Sequence, residues 1–281
     1  MQKNAFYLVV FAALLSGVSG LLIKFMSIPA TSMAAIRMTT PTILVGVYLL
    51  YRQKAVFKPG YRIMLGASVV NTVRMFFFFM AYIYTSISNA IITLYTWPIF
   101  ATILSVILLK ESISKRQIAL LGLSFVGILI VYIGHDFSFS DKDFIGLSSG
   151  VFGAFFYACS VIIFKSKSAS FDPPETIFFQ NLLGAFVFLP FLFFNVPTPT
   201  SLDWTLGLTH GILIGVIMFS AFFYGLKYID ASKASMITYV EVISAMSLGY
   251  FVLDEKLTIN MILGAAIILT STLLLRKKQG Q

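Results

Sequence analysis

The 281-residue chain predicts an all-α integral membrane protein: ten transmembrane helices arranged as two inverted five-helix repeats (5+5), with both termini cytoplasmic. Three observations predict it. Hydrophobic residues make up 58% of the chain and charged residues 11%, with a mean hydropathy of +0.92. Soluble domains carry about 25% charged residues, so water is the wrong solvent for this much apolar side chain. Apolar runs of about 20 residues recur along the whole length, as a helix crossing ~30 Å of hydrocarbon requires. Open sheets are excluded there, because lipid cannot satisfy their edges. Finally, SNAIITLYTWPIFATILSVILLKES, from Ser88 to Ser112, overlays SKASMITYVEVISAMSLGYFVLDEK, from Ser232 to Lys256, at one fixed offset of 144 residues.

Taken in order, the first span covers 5–25, beginning just after Lys3. It lacks a small-residue cleavage site with a polar sequel and reads as a retained helix, not a signal peptide. The second, 32–50, closes on Arg52 and Lys54, and the third, 62–83, follows Lys58 and Arg62. The fourth, 87–109, ends at Lys110, and the fifth, 117–134, is entered from Lys115 and Arg116. After the acidic loop 135–143 come 145–165, ending on Lys165 and Lys167, and 176–194. The last three are 205–226 before Lys227, 233–253 from Lys233, and 259–275 before Arg276, Lys277 and Lys278. With the N-terminus cytoplasmic, these fifteen of the twenty Lys and Arg residues fall inside. The positive-inside rule therefore orients the chain.

The same dispersal removes a nucleic-acid reading of the net charge of +9, since the basic residues are spread over short loops between apolar spans. Cys159, the single cysteine, excludes an intrachain disulfide and a cysteine-rich metal site. His135 and His210 have no partner at metal or triad spacing, and no nucleotide-binding loop is present. No catalytic residue, cofactor or metal is expected.

The repeat carries more information than hydropathy. Ser88 matches Ser232, Ala90 Ala234, Tyr95 Tyr239 and Glu111 Glu255, and a slightly different offset sets Lys24 against Lys165. Five helices per half means that the second half, 144–281, enters from the side opposite to the first, 1–135. Inverted repeats rocking about a midplane site are a common transporter architecture.

The SxA openings at Ser88 and Ser232, with the ends LLKESISKRQ (108–117) and VLDEKLTINMILG (252–264), resemble the EamA branch of the drug/metabolite transporter superfamily over essentially the whole chain. The chain departs from that pattern where a Gly commonly precedes the terminal Glu; Lys110 and Asp254 stand there instead. The resemblance implies a multi-pass carrier of the bacterial inner membrane, often an exporter of amino acids or other small metabolites.

A charge at the centre of a membrane helix costs about 2.5–3.5 kcal/mol, so such residues face cavities or partners. Glu241 lies eight residues beyond Lys233, about 12 Å along a helix. Its face carries Ala234, Thr238, Ser244, Ala245 and Gly249, small or hydroxyl residues typical of a surface turned away from lipid. Arg74, twelve residues past Arg62, shares a face with Asn71 and Phe78. Arg74 and Glu241 either grip the two ends of a zwitterion or pair with each other. Trp97 aligns with Glu241 across the repeat and precedes Pro98, which removes a backbone donor and favours a kink. Tyr95, Tyr239 and Tyr157 complete the expected substrate-binding set. Arg37, where the family often has an Arg in helix 2, is expected to gate or support. The same holds for Lys24, read as a snorkelling anchor, and for Pro98, Glu111 and Glu255. A carboxylate at a helix C-terminus opposes the dipole, so Glu111 and Glu255 call for specific partners such as an amide or hydroxyl.

The expected function is secondary transport by alternating access of a small polar organic metabolite, an amino acid or derivative first. One alternative is an organic cation such as S-adenosylmethionine or a lipophilic drug, suited by a deep Glu and aromatic walls. Another, of a different class, is a membrane scaffold without transport. The expected partners are a small-molecule substrate and the lipid bilayer, with proton or exchange coupling, no nucleic acid, and a monomer ahead of a dimer.

Overall fold

In the computed structural model, the described residues are 2–85, 87–133, 141–194, 196–254 and 256–276, without the side chains of 2, 3, 87, 88, 141 and 276. His135, Glu255, Lys277 and Lys278, and the side chains of Lys3, Ser88 and Arg276, lie outside the described residues.

Among the described residues every regular element is helical. The elements are α1 (Gln2–Ser16), α2 (Val18–Lys24), α3 (Ala30–Tyr51), α4 (Tyr61–Tyr84), α5 (Ile87–Leu94), α6 (Trp97–Leu109), α7 (Lys115–Val131) and α8 (Asp141–Ser166). There follow α9 (Pro173–Phe188), α10 (Phe191–Phe194) and α11 (Ser201–His210), a π-helical segment (Gly211–Met218), then α12 (Phe219–Tyr228), α13 (Ala231–Ile237), α14 (Val240–Leu253) and α15 (Ile259–Arg276). Eight helical stretches are long and apolar enough to cross a membrane: Asn4–Lys24, Ala30–Tyr51, Tyr61–Tyr84, Asn89–Leu109, Lys142–Ser166, Pro173–Phe194, Ser201–Tyr228 and Ala231–Leu253. Ile259–Leu275 is a shorter apolar helix, and α7, at the expected fifth span, has 17 residues. Large apolar side chains point outward, Leu50 at 77% and Phe251 at 79% exposure. That is the pattern of a surface solvated by lipid.

The helices pack in local groups: α4 on α8 and α9, α3 on α9, α6 on α8, α1 on α12 and α14, and α7 on α15. The last pair touches backbone to backbone. A Cβ built on Gly264 would lie 2.5 Å from the Gly127 carbonyl oxygen, so no larger residue fits this crossing. Small residues at such crossings let membrane helices gain van der Waals contact that lipid cannot supply.

Several expected spans are not simple helices. The span 5–25 breaks at Gly17 into α1 and α2. A Cβ there would sit 2.6 Å from the Ser244 side chain, so α1 lies hard against α14. The span 205–226 contains the π-helical segment, a register change that hydropathy does not record and that tends to occur at functional sites.

The segments 88–112 and 232–256 share two backbone features. Each helix is interrupted, at residues 95–96 and at 238–239, and the amides there fall back to i−3 partners: Thr96 N on Thr93 O (3.2 Å) and Thr238 N on Ser235 O (3.2 Å). Each then ends on a left-handed residue, Lys110 at φ 56° and Asp254 at φ 53°, whose amides reach back to Ser105 O and Gly249 O. Glycine is the residue that takes this cap without steric cost. This is the physical reason for the Gly commonly found at that place, and Lys110 and Asp254 hold the same geometry under strain.

Candidate functional site in a central cavity

The helix interruptions surround a cavity of about 450 Å³. It is walled by the α1–α2 break (Ser16, Gly17, Ser19), by Arg37 of α3 and Arg74, Phe78 and Tyr82 of α4, and by Tyr95 and Trp97 at the α5–α6 break. Tyr157 of α8, Met218 of the π-helical segment, and Glu241, Ala245 and Met246 of α14 complete it. The lining extends to Ile23, Tyr82 and Tyr132 at the ends of α2, α4 and α7, and to Met261 at the start of α15. At the opposite helix ends an apolar cluster including Val9, Phe164, Phe223, Leu226 and Ile229 is buried.

Glu241 stands in the first turn of α14, just after the interruption. A carboxylate at a helix N-terminus is favoured by the dipole, by about 0.3–1 kcal/mol. Ser16 shares the cavity wall with it. No ion pair among the described residues includes Glu241, Arg37 or Arg74.

The two guanidinium groups converge instead on one sulfur. Arg74 Nη2 lies 2.9 Å and Arg37 Nη1 3.7 Å from Met75 Sδ, a weak acceptor. The Arg74 guanidinium also lies 4.5 Å from the centroid of the Tyr157 ring, a cation–π contact. Its buried Nε has no hydrogen-bond partner among the described residues. Trp97 packs on the same Tyr157, ring centroids 4.6 Å apart, and Phe78 packs on Tyr82 at 4.8 Å.

Glu241, Arg74, Trp97, Tyr95, Tyr157 and Phe78 thus stand together on the wall, joined by Arg37, which the sequence suggested as a gating or supporting residue. Two expected binding residues are elsewhere. Asn71 is 2% exposed and donates through Nδ2 to Gln180 O (2.8 Å), fastening α4 to α9, because its side of α4 meets a helix rather than the cavity. Tyr239 is fully buried behind the wall, its hydroxyl donating to Tyr95 O (3.0 Å), a carbonyl at the α5–α6 interruption. Pro98 occupies the first turn of α6, where its missing N–H costs nothing. The expected kink is therefore a fresh helix start. Lys24 is exposed at the end of α2, away from the lining.

Glu111 has the partners its position called for. It accepts from Ala231 N (2.8 Å), Ser232 N (3.3 Å) and Ser232 Oγ (3.3 Å), capping the start of α13. Beside it, Lys165 Nζ donates to Leu226 O (2.5 Å) and Ile229 O (2.9 Å) at the end of α12. The same helix ends carry an ionic rim in which Lys58 pairs with the buried Glu175 (2.6 Å) and Lys54 and Lys227 pair with Asp172. The hydrogen bond from Lys54 is the main reason that the Asp172 carboxyl is held below the ordinary carboxylate range.

Sequence reasoning passed over Ser16 and Ser19 and set His210 aside for want of a partner at metal or triad spacing. His210 is buried, with Nε2 2.8 Å from Ser19 Oγ, directly before the π-helical segment. The small and hydroxyl run S-G-V-S at 16–19 was the available signal. Among the described residues no group of three or more His, Cys, Asp or Glu side chains is placed to hold a metal.

A multi-pass helical bundle around a polar, aromatic-walled cavity is the framework of a solute carrier. The EamA-like transporter family model matches residues 3–133 and again 144–277, and the chain belongs to that family. It is a multi-pass membrane transporter. Among its relatives, an uncharacterized transporter of Archaeoglobus fulgidus is 27% identical over 213 residues, 76% of each chain. The pseudopaline exporter CntI of Pseudomonas aeruginosa is 25% identical over 100% of this chain and 99% of its own. A solved crystal structure shares the fold with a TM-score of 0.84 at 16% identity, covering 95% of this chain and 96% of that one.

Proposed function

We propose that the protein is a secondary carrier of the bacterial inner membrane, moving a small polar organic metabolite, an amino acid or derivative, by alternating access. One observation carries the reading. Glu241 and Arg74 face the same cavity without forming an ion pair, so each is available to a substrate group of opposite charge. Trp97 and Tyr157 supply the apolar wall that such pockets use to exclude water.

Two inverted halves, 1–135 and 144–281, are the device that moves the site between the two faces. The interruptions, 143 residues apart, and the left-handed caps, 144 residues apart, support this division. The apolar cluster closing one end, while the cavity lining reaches the other, supports a state accessible from a single side. In this reading Glu111 and Lys165 fasten the closed end, and both chain termini lie on that side, in the cytoplasm. The name of the Pseudomonas relative supports metabolite export as the direction.

The test is counterflow in liposomes containing the purified protein, across a panel of amino acids and related metabolites. Wild type is expected to exchange at least one, and Glu241→Gln to lose most of that exchange. Undiminished exchange by Glu241→Gln on every panel member removes the site. An organic cation is the second reading, favoured by the carboxylate and the aromatic wall. Binding that survives Arg74→Ala but not Glu241→Gln would select it.

A further inference from the structure

The charge inventory of the cavity is unequal: Arg37 and Arg74 against Glu241. Buried guanidinium groups that serve only the fold are ordinarily matched by carboxylates, since an unmatched charge out of water costs several kcal/mol. Here the protein offers the pair a thioether at 2.9 and 3.7 Å and a tyrosine face, and among the described residues no carboxylate within ion-pair distance. The Nε of Arg74 is buried with no hydrogen-bond partner among the described residues. Because both groups reach the same Met75 Sδ, they are no further apart than those two distances laid end to end. They form one cationic cluster open to the cavity, and among the described residues neither forms an ion pair with Glu241.

From this we infer that the substrate is an amine bearing two carboxylates: Arg37 and Arg74 receive the acids and Glu241 receives the ammonium. The inference rests on the carrier reading above and narrows it. A zwitterion with one carboxylate would leave one guanidinium unmatched, and a simple organic cation would leave both. An amino dicarboxylate, of net charge −1, neutralises the site. Arginine suits the role because its planar fork binds a carboxylate through two parallel hydrogen bonds, and it stays charged in apolar surroundings. The cavity, at about 450 Å³, accepts more than a bare amino acid, so larger members of the class fit as well.

The test uses isosteric pairs that differ by one charge. Binding of glutamate and glutamine, and of γ-glutamylglycine and its C-terminal amide, is measured by titration calorimetry on the detergent-purified protein. Each dicarboxylate is expected to bind at least about tenfold tighter than its amide, the scale of one charge-assisted contact. Arg37→Gln and Arg74→Gln should each collapse that ratio toward one, and Arg37→Lys should restore part of it. The ratio is taken within one preparation, so a smaller folded fraction does not imitate the effect. Equal binding of acid and amide by wild type, or a ratio that survives Arg37→Gln, overturns the inference and leaves the amino-acid carrier standing. Absence of binding and of counterflow for every amino compound overturns both.

Discussion

The stretches 88–112 and 232–256 are built alike and equipped differently. Both interrupt a helix near the middle, both close it on a left-handed residue, and both place a cavity-facing side chain in the first turn after the interruption. In the first stretch that side chain is Trp97, 7% exposed and packed on Tyr157; in the second it is Glu241. Both arginines of the wall come from α3 and α4, ahead of the first stretch, so the positive charge precedes the first stretch and the negative charge lies in the second. The backbone device is shared and the chemistry is assigned to sides. Two stretches of like backbone can thereby present unlike chemistry to one cavity.

The largest effect should come from breaking that assignment. Glu241→Gln removes a charge-assisted contact of about 1.5–3 kcal/mol and should lower counterflow about 10- to 100-fold. Trp97→Phe keeps a ring on Tyr157 and should cost less than tenfold. Equal losses would mean that the two positions serve only as packing. Next is Glu111→Ala, which strips the cap from the start of α13. A lost N-terminal cap costs about 0.5–2 kcal/mol, readable as a lower melting temperature in detergent. No change would show that backbone amides of Ala231 and Ser232 find water instead.

Smaller still, and of opposite sign, are Lys110→Gly and Asp254→Gly. Each relieves a left-handed non-glycine residue and should stabilise by at most about 1 kcal/mol. Similar gains would equate the two ends, and a gain at one alone would separate them. The smallest concerns the ionic rim, which has Asp172 between Lys54 and Lys227. Its carboxyl titrates below the ordinary range, so its contribution is present above about pH 4 and is lost as pH falls through the folded value. Asp172→Asn should therefore destabilise the protein near pH 7 by under about 1 kcal/mol for so exposed a pair, readable as a slightly lower melting temperature. The difference should vanish in acid.

Legibility in the sequence followed the strength of the local signal. Glu241 and Arg74 stood out because charge is costly in lipid, and both face the cavity. Asn71 was read with them because it shares a face with Arg74, yet it bonds a carbonyl of α9, since sequence cannot say which polar face meets a helix and which meets a void. Gly17 looked like any small residue until α14 was seen against it. Tyr95 and Tyr239 looked equivalent, but one lines the wall and the other braces it from behind.

What the chain alone determined is its solvent, its helical class, the paired stretches and the polar residues that apolar surroundings make conspicuous. These follow from composition and period, which are local properties. The tertiary structure decided which of those residues share a cavity, that Arg37 belongs with Arg74, and that neither forms an ion pair with Glu241. Those facts depend on how helices far apart in sequence cross, and crossing is settled by side-chain fit between surfaces that no single segment contains.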